Sequence, residues 1–259
     1  MCIKAKVRAG VWGALALSAF SAQGGIIDFE TAAAGATPID NQVVGFEDKF
    51  RADGVSVRFG FDSNGDGNWD TNAVFEEVGN RDRNKDTGFW GIGGAKDIAA
   101  PGYEDQLGKY FLRQREPYKP FGTFTILYDA DNPVTAASGE IWDIDGTGHR
   151  TRKTEQFLVQ AFHGDALLDE IYSPLGTDLE LDGKPWLFGF DGLSDIERIE
   201  ISFTGSKTSG IGLAFNNFSP IQNVETAAVP IPATAALLAL GLFGVTRRQT
   251  KIKHINSEI

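Results

Sequence analysis

The chain has 259 residues, with 35 acidic and 24 basic side chains and a formal net charge of −11 at pH 7. This acidic balance repels phosphate backbones and excludes nucleic acid as a partner. The one cysteine, Cys2, excludes a disulfide framework, so packing, hydrogen bonds or metal must hold the fold.

The first 24 residues have the pattern of a secretory signal peptide. A basic segment, an apolar run and small residues follow one another: Lys4, Lys6 and Arg8, then residues 9–20, then Ser21 and Gly24. Cleavage after Ser21 and cleavage after Gly24 both fit the pattern. We expect residues 1–24 to be removed on export, and Cys2 with them.

Residues 25–220 are predicted to form one all-β domain. Val55, Val57, Phe59 and Phe61 alternate with small or polar residues, and residues 198–203 repeat the pattern. Eight further runs bounded by Gly, Pro, Asn or Asp are predicted strands: Ile26–Glu30, Lys109–Leu112, Phe121–Tyr128, Gly139–Asp145, Glu155–Phe162, Asp169–Tyr172, Trp186–Phe190 and Gly212–Phe218. Short strands with one apolar face predict a jelly-roll-like antiparallel β-sandwich.

A candidate calcium loop follows the strand that begins at Val55. Oxygen-bearing residues occupy alternate positions, with Gly65 and Gly67 between them to allow a tight curl: Asp62, Asn64, Asp66, Asn68 and Asp70. The bidentate acid expected at position twelve is replaced by Ala73, and Glu76 or Glu77 substitutes only if the loop exits into a strand or loop. The alternative is a polar turn without metal.

Two weaker oxygen clusters are also present. Residues 82–88 repeat the ligand spacing, but Arg83 and Lys85 interrupt it, which favours a solvated loop. Glu30 and the pair Asn216–Asn217 become neighbours if the first and last strands pair. They would then hold either a capping hydrogen bond or a metal.

The sequence does not favour an enzyme. Hydrolysis of a glycosidic bond needs two carboxylates facing one sugar ring, but Glu140 lies on the opposite strand face from Asp143 and Asp145. After removal of both ends, His149 and His163 remain, without a cysteine or a Gly-x-Ser-x-Gly elbow, so no triad is predicted. Trp69 and Trp90 lie in the long segment after Asp62 and are candidates for stacking on a sugar; Trp142 and Trp186 are predicted in the core.

The last thirty residues form a tripartite tail. A proline-marked break is followed by an apolar segment and a basic stop: Val229, Pro230, Pro232 and Ala233, then a predicted transmembrane helix over 232–246, then Arg247 and Arg248. Residues 221–228 are predicted to link this tail, 229–259, to the sandwich. Removing both ends would take away seven basic residues and one acidic residue and leave a net charge of −17.

This tail resembles the PEP-CTERM sorting signal of exported bacterial proteins. The resemblance implies an exosortase-type processing enzyme as partner, transient anchoring in the inner membrane of a Gram-negative bacterium, and delivery to the cell surface or beyond. Ile231 stands where the commonest pattern has Glu, which places the chain in a Val-Pro-aliphatic-Pro-Ala variant. The tail also continues eleven residues beyond Arg248.

From these features we expect an exported, non-catalytic β-sandwich that is stabilised by calcium and binds extracellular polysaccharide or matrix. The alternative is a structural or interaction protein of the envelope or biofilm, without sugar specificity. A glycoside hydrolase is the least favoured of the three.

Overall fold

The structure is a computed structural model that describes residues 25–80, 89–91, 95–116, 122–129, 134–145, 153–176, 181–208 and 211–222. The predicted signal peptide, the sorting tail and the 82–88 repeat lie outside these ranges. In the part of the chain that is described, no helix is both long and apolar enough to cross a membrane.

The described residues form β-strands and one helical turn. In chain order the elements are β1 (Phe50–Ala52), β2 (Val55–Asp62), β3 (Ala73–Glu77), β4 (Trp90–Gly91), β5 (Ala95–Lys96), α1 (Glu104–Leu107), β6 (Tyr110–Gln114), β7 (Thr123–Asp129), β8 (Val134–Trp142), β9 (Phe157–His163), β10 (Ala166–Tyr172), β11 (Pro185–Phe190), β12 (Arg198–Phe203) and β13 (Ala214–Gln222).

Two antiparallel sheets make up the sandwich. Sheet 1 has six strands in the order β1-β2-β7-β12-β9-β10, and sheet 2 has five in the order β11-β8-β13-β6-β3. From β6 onward most connections cross from one sheet to the other. The strands β4 and β5 form a separate small hairpin.

Phenylalanine rings from both sheets fill the space between them. Phe215 of β13 is fully buried and lies 5.1–6.4 Å, between ring centroids, from five other rings: Phe29, Phe59, Phe124, Phe188 and Phe218. The apolar face predicted for β2 is confirmed, because Val55, Val57, Phe59 and Phe61 are all buried in this core; most residues of the opposite face are also buried. Burial of apolar area of this kind is the main stabilising contribution to a domain without disulfides.

A second apolar cluster covers part of the outer face of sheet 2. Trp142, Ala214 and Phe111 project from three neighbouring strands and pack against Phe89 and Leu107. Because Leu107 belongs to α1, this helical turn lies against the outer face of sheet 2.

The prediction of an all-β sandwich is confirmed, with differences at individual elements. Residues 26–30 were expected to form a strand, but a single bridge between Ile27 and Phe218 is formed there. The strand β3 falls within the long segment after Asp62, where no strand was predicted. The final strand continues to Gln222, two residues past the predicted domain boundary. The side chain of Trp186 is half-buried and packs against the core, whereas Trp142 belongs to the second cluster.

Candidate functional site

The predicted calcium loop begins where β2 ends and is organised around Asp62. Asp62 Oδ1 accepts the backbone N–H of Gly65 at 2.7 Å, and Oδ2 accepts that of Gly67 at 2.7 Å. Longer hydrogen bonds from the N–H groups of Asn64 and Asp66 reach the same Oδ1. The two glycines have positive φ angles, which lets the backbone curl around the carboxylate.

The other predicted ligands of this loop also form hydrogen bonds within it. Asp66 Oδ1 accepts the N–H of Asn68 at 2.8 Å. Asp70 accepts the backbone N–H and the hydroxyl of Ser63, and these hydrogen bonds lower the pKa of Asp70. The loop is therefore closed by its own polar groups, and calcium binding here stays a prediction.

The missing twelfth-position ligand is not supplied by Glu76. The loop does exit into a strand, β3, but Glu76 is fully buried on the outer face of sheet 2 and bound to Arg113. Glu77 faces Lys109 at 3.4 Å. Neither carboxylate is directed to the loop, so a calcium ion there would have to take its remaining ligands from backbone carbonyls or water.

Trp69 packs against sheet 1. A Cβ at Gly60 of β2 would lie 2.3 Å from Trp69 Cδ2, which shows that the indole lies directly on the strand. Phe46 lies 5.7 Å away between ring centroids, and the guanidinium of Arg58 lies 5.8 Å from the ring. The half-buried indole is thus held by protein contacts on this face. The side chain of Trp90 lies outside the described residues.

The segment around Ile27 does meet the last strand, β13, as the sequence predicted for Glu30 and Asn216–Asn217, although it forms a single bridge and not a strand. Ile27 and Phe218 exchange backbone hydrogen bonds of 2.8 and 3.0 Å. Glu30 Oε1 accepts the N–H groups of Lys109 and Tyr110, so the capping alternative is the one that the structure shows for this carboxylate.

An open cavity of about 570 Å³ lies on the outer face of sheet 2 beside this junction. Its lining includes Ser138 and Glu140 of β8, Asn216 and Asn217 of β13, and Gln106 of α1. Its volume lies within the range of small-ligand sites. Four acidic residues line it, and none of its described lining residues is basic: Asp28, Glu30, Asp105 and Glu140.

A β-bulge in β13 shapes the floor of the cavity. Asn216 is opposite Glu140 and Ser219 is opposite Ser138, so β13 has one more residue than β8 in this interval. Asn217 takes the extra place with a φ of +48°, a conformation that few residues other than glycine adopt. The bulge brings both asparagines to the cavity, where a regular strand would direct them to opposite faces.

Hydrogen bonds fix the polar groups of this floor. Glu140 accepts from Gln106 at 2.7 Å, from Asn217 at 3.0 Å and from the indole of Trp142 at 3.2 Å. Asn216 Nδ2 donates to the carbonyl of Leu107 at 2.7 Å, which fixes the orientation of the amide. Asn216 Oδ1 is buried and has no hydrogen-bond partner among the described residues.

A separate acidic cluster lies at the end of sheet 2 where β8 ends and β11 begins. Pairing of Trp142 with Pro185 brings Asp143 and Asp145 close to Asp182, and one oxygen from each carboxylate lies within 4.8 Å of the others. Asp143 has a φ of +65°, and its Oδ1 accepts the N–H of Gly183 at 2.7 Å.

Burial raises the pKa of each carboxyl in this cluster, and repulsion by neighbouring carboxylates adds to the rise at Asp143 and Asp145. For Asp143 burial is the main cause, followed by the charge of Asp145. Burial and the charge of Glu155 raise the pKa of Asp145 to about 7, against an opposing effect of Lys207. Burial also raises the pKa of Asp182, opposed by Lys184. The three carboxyls therefore hold their protons more tightly than free aspartic acid side chains do.

A third group is exposed on sheet 1. His163 Nδ1 lies 3.5 Å from Asp195 Oδ2 and 3.6 Å from Glu197 Oε1. The same nitrogen is 3.1 Å from the carbonyl of Asp195, and Glu197 accepts the N–H of Gly164. These contacts describe an exposed turn between β9 and β10.

Comparison with known proteins does not assign the chain to a family. No protein-family model matches it. A search of curated proteins finds no similar sequence either. The features that bear on function are the cavity and the acidic cluster of sheet 2, together with the sequence patterns at the two ends of the chain.

Sequence reasoning anticipated some members of these sites and missed others. It placed Glu30, Asn216 and Asn217 together and separated Glu140 from Asp143 and Asp145. It missed Asp182 and the cavity itself. Asp182 is preceded by Leu181 and followed by Gly183, an ordinary turn sequence, so no local signal distinguishes it.

Proposed function

We propose that this protein is an exported, surface-sorted, non-catalytic β-sandwich that binds extracellular polysaccharide or matrix. Export and sorting are supported by the two terminal sequence patterns. The crossing of the chain between sheets supports a jelly-roll-like topology, and the loop that begins at Asp62 remains a candidate for structural calcium. Trp69 and Trp90 remain candidates for contact with a sugar.

The observation that carries the binding proposal is the unpartnered Asn216 Oδ1 in the floor of the cavity. A buried amide oxygen without a donor costs free energy, on the order of 1–3 kcal/mol, unless a water or ligand hydroxyl supplies the hydrogen bond. Glu140 beside it is already oriented by three donors. The site is thus rigid before any ligand binds, which reduces the entropy lost on binding.

The chemistry of the cavity favours a neutral polyhydroxylated ligand. Its floor offers carboxylate and amide oxygens that accept hydrogen bonds from hydroxyl groups. The exposed side chains of Ile26 and Leu187 provide apolar surface for the C–H face of a sugar ring. Anionic polysaccharides are disfavoured, because the described lining has four carboxylates and no base.

Affinity electrophoresis of the full chain in gels that contain neutral or acidic polysaccharides tests this proposal. Leu187→Ser is expected to weaken binding of a neutral polysaccharide by about tenfold, since part of the apolar contact is lost. Leu175→Ser is the matched control, because Leu175 is similarly exposed (52% against 65%) and does not line the cavity. Glu140→Gln changes a hydrogen-bond acceptor in the floor of the cavity and is also expected to weaken binding of the neutral polysaccharide.

The outcomes of that experiment are distinct. If Leu187→Ser and Glu140→Gln weaken binding and Leu175→Ser does not, the cavity is the binding surface. If binding is lost in Trp69→Ala or Trp90→Ala instead, the sugar binds at the long loop. Absence of binding to any polysaccharide would contradict the proposal.

Export can be tested separately by analysing the protein from the medium and surface of producing bacteria. The mature chain is expected to begin at residue 22 or residue 25 and to lack the segment that contains Arg247 and Arg248. Replacement of both prolines, Pro230 and Pro232, by Ala should leave the protein in the membrane fraction. An intact chain in the cytoplasm would refute the export proposal.

The alternative function, a structural or interaction protein without sugar specificity, is supported by one feature of sheet 1. The edge strand β10 is mostly exposed and carries Leu167 and Tyr172, which are about half exposed. An exposed edge strand can pair with a strand of another chain. Concentration-dependent self-association that is lost in Leu167→Lys would favour this alternative.

A further inference from the structure

The acidic cluster of Asp143, Asp145 and Asp182 is not explained by the proposed binding function. The three residues come from two chain segments, the end of β8 and the turn before β11, and their carboxylates converge at one point. Two lysines are near the cluster: Lys207 is bound to Glu155, and the charge of Lys184 acts on Asp182.

Asp182 provides an independent indication of a ligand. Its side chain is only 6% exposed, and its Oδ1 is buried without a hydrogen-bond partner among the described residues. An ionised carboxylate that is buried without a partner is strongly unfavourable, so such groups normally bind a cation or take up a proton. The backbone N–H of Gly183 binds Asp143 and not its own neighbour Asp182.

We propose that Asp143, Asp145 and Asp182 bind a calcium ion at the end of sheet 2. Calcium takes six to eight oxygen ligands at about 2.3–2.6 Å, so two oxygens on one ion lie no more than about 5 Å apart. One oxygen from each of the three carboxylates lies within 4.8 Å of the other two, which satisfies this condition. The remaining ligands would be water or backbone carbonyls.

The donor set selects calcium over the common transition metals. All three side chains offer hard oxygen atoms, and neither histidine nor cysteine belongs to the group. Zinc and copper sites in proteins usually contain nitrogen or sulfur ligands. Three carboxylates also supply enough negative charge for a divalent cation, with Glu155 adding to the field.

This site is different from the loop predicted from the sequence. The loop follows β2 of sheet 1, whereas the cluster joins β8 and β11 of sheet 2. An ion in the cluster would hold the end of one strand to the beginning of its neighbour. It would stabilise the folded chain, in which the three residues are together, and not the unfolded chain, in which they are separated by up to 39 positions.

The experiment is thermal unfolding of the metal-stripped full chain with and without added calcium. Tryptophan fluorescence monitors the unfolding. We expect calcium at about a hundredfold excess over its dissociation constant to raise the melting temperature by about 5–10 °C. Asp182→Asn and Asp145→Asn should each lose most of this rise. Asp191→Asn should retain it, because Asp191 is an exposed residue at the end of β11 outside the cluster.

A second comparison separates loss of an ion from loss of the fold. Without metal, Asp182→Asn is expected to melt at the same temperature as the wild type or higher, since a repelling charge is removed from the cluster. Terbium luminescence sensitised by Trp142, the neighbour of Asp143, should also disappear in Asp182→Asn and Asp145→Asn.

The proposal is overturned if both asparagine variants keep the full calcium response, or if the wild type shows none. It is also overturned if the response is lost only in Asp66→Asn, which would place the ion in the loop after β2. Because polysaccharide binding is measured separately with Leu187→Ser, failure of one proposal does not decide the other.

Discussion

At the scale of single residues, two copies of the same four-residue segment differ in what their glycines contact. The segment Phe59-Gly60-Phe61-Asp62 recurs as Phe188-Gly189-Phe190-Asp191, and both copies lie at the ends of strands. In each copy the phenylalanines are buried in the common core. The glycines differ, because Gly60 lies under the indole of Trp69, whereas a Cβ at Gly189 would make only ordinary van der Waals contacts.

Gly60→Ala is therefore expected to destabilise the protein by about 1–3 kcal/mol, the usual cost of overpacking. The new Cβ would lie 2.3 Å from Trp69 and would displace the ring. Gly189→Ala is the matched control and should change the free energy of unfolding by no more than about 0.5 kcal/mol, because its Cβ would meet its nearest neighbour at 3.6 Å. Urea unfolding measures both; equal stabilities would show that Trp69 does not pack on this strand.

At the scale of elements, the edge strand β3 is held to β6 by a buried ion pair. Glu76 and Arg113 are each 1% exposed and hydrogen-bonded to one another on the outer face of sheet 2. Arg113 also donates to Asn41 and to the carbonyls of Gln114 and Arg115. The guanidinium thus connects two strands with the segment that leads into the sandwich.

Arg113→Met is expected to destabilise the protein by about 3–5 kcal/mol, because it leaves Glu76 buried without its partner. The double variant Glu76→Leu/Arg113→Met should recover most of that loss, since two apolar side chains can replace the pair without a desolvated charge. The free energies of unfolding of the single and double variants decide this point. A double variant as unstable as the single one would mean that hydrogen bonds to Asn41 and the carbonyls dominate.

At the scale of the whole molecule, the acidic cluster couples stability to pH. Folding raises the pKa of Asp145 from the ordinary 3.8 to about 7, so the folded chain binds more protons than the unfolded chain in this range. The free energy of unfolding then falls as pH rises. The favourable contribution of Asp145 to the free energy of unfolding is fully present below pH 3.8 and is lost as pH rises through about 7.

In metal-free buffer, Asp145→Asn is therefore expected to become progressively more stable than the wild type between about pH 4 and pH 8. Asp129→Asn should show the opposite sign, because hydrogen bonds and charge from Lys49 and Arg58 lower the pKa of Asp129. That variant should be less stable than the wild type above pH 3.8, and the difference should vanish in acid. Melting temperatures across this range, measured for both variants, provide the test.

The sequence by itself determined the fold class and most of the strands. Alternation of apolar and polar residues is a local property, and burial of one strand face is enough to specify an all-β chain. The alternation in β2 and β12 therefore predicted these strands to within one residue at their ends. It failed for β1 and β3, which are short and have no clear alternation, and for residues 26–30, where a single bridge forms.

Only the tertiary structure decided which polar residues share a site. Asp182 joins Asp143 and Asp145 through the register of β8 and β11, and Asn217 reaches the cavity through a bulge in β13. Register and bulges depend on packing between strands that are far apart in the chain, so residue spacing does not reveal them. For the same reason the sequence left Glu76 or Glu77 as a substitute for the missing ligand of the loop, whereas packing on sheet 2 places the carboxylate of Glu76 against Arg113.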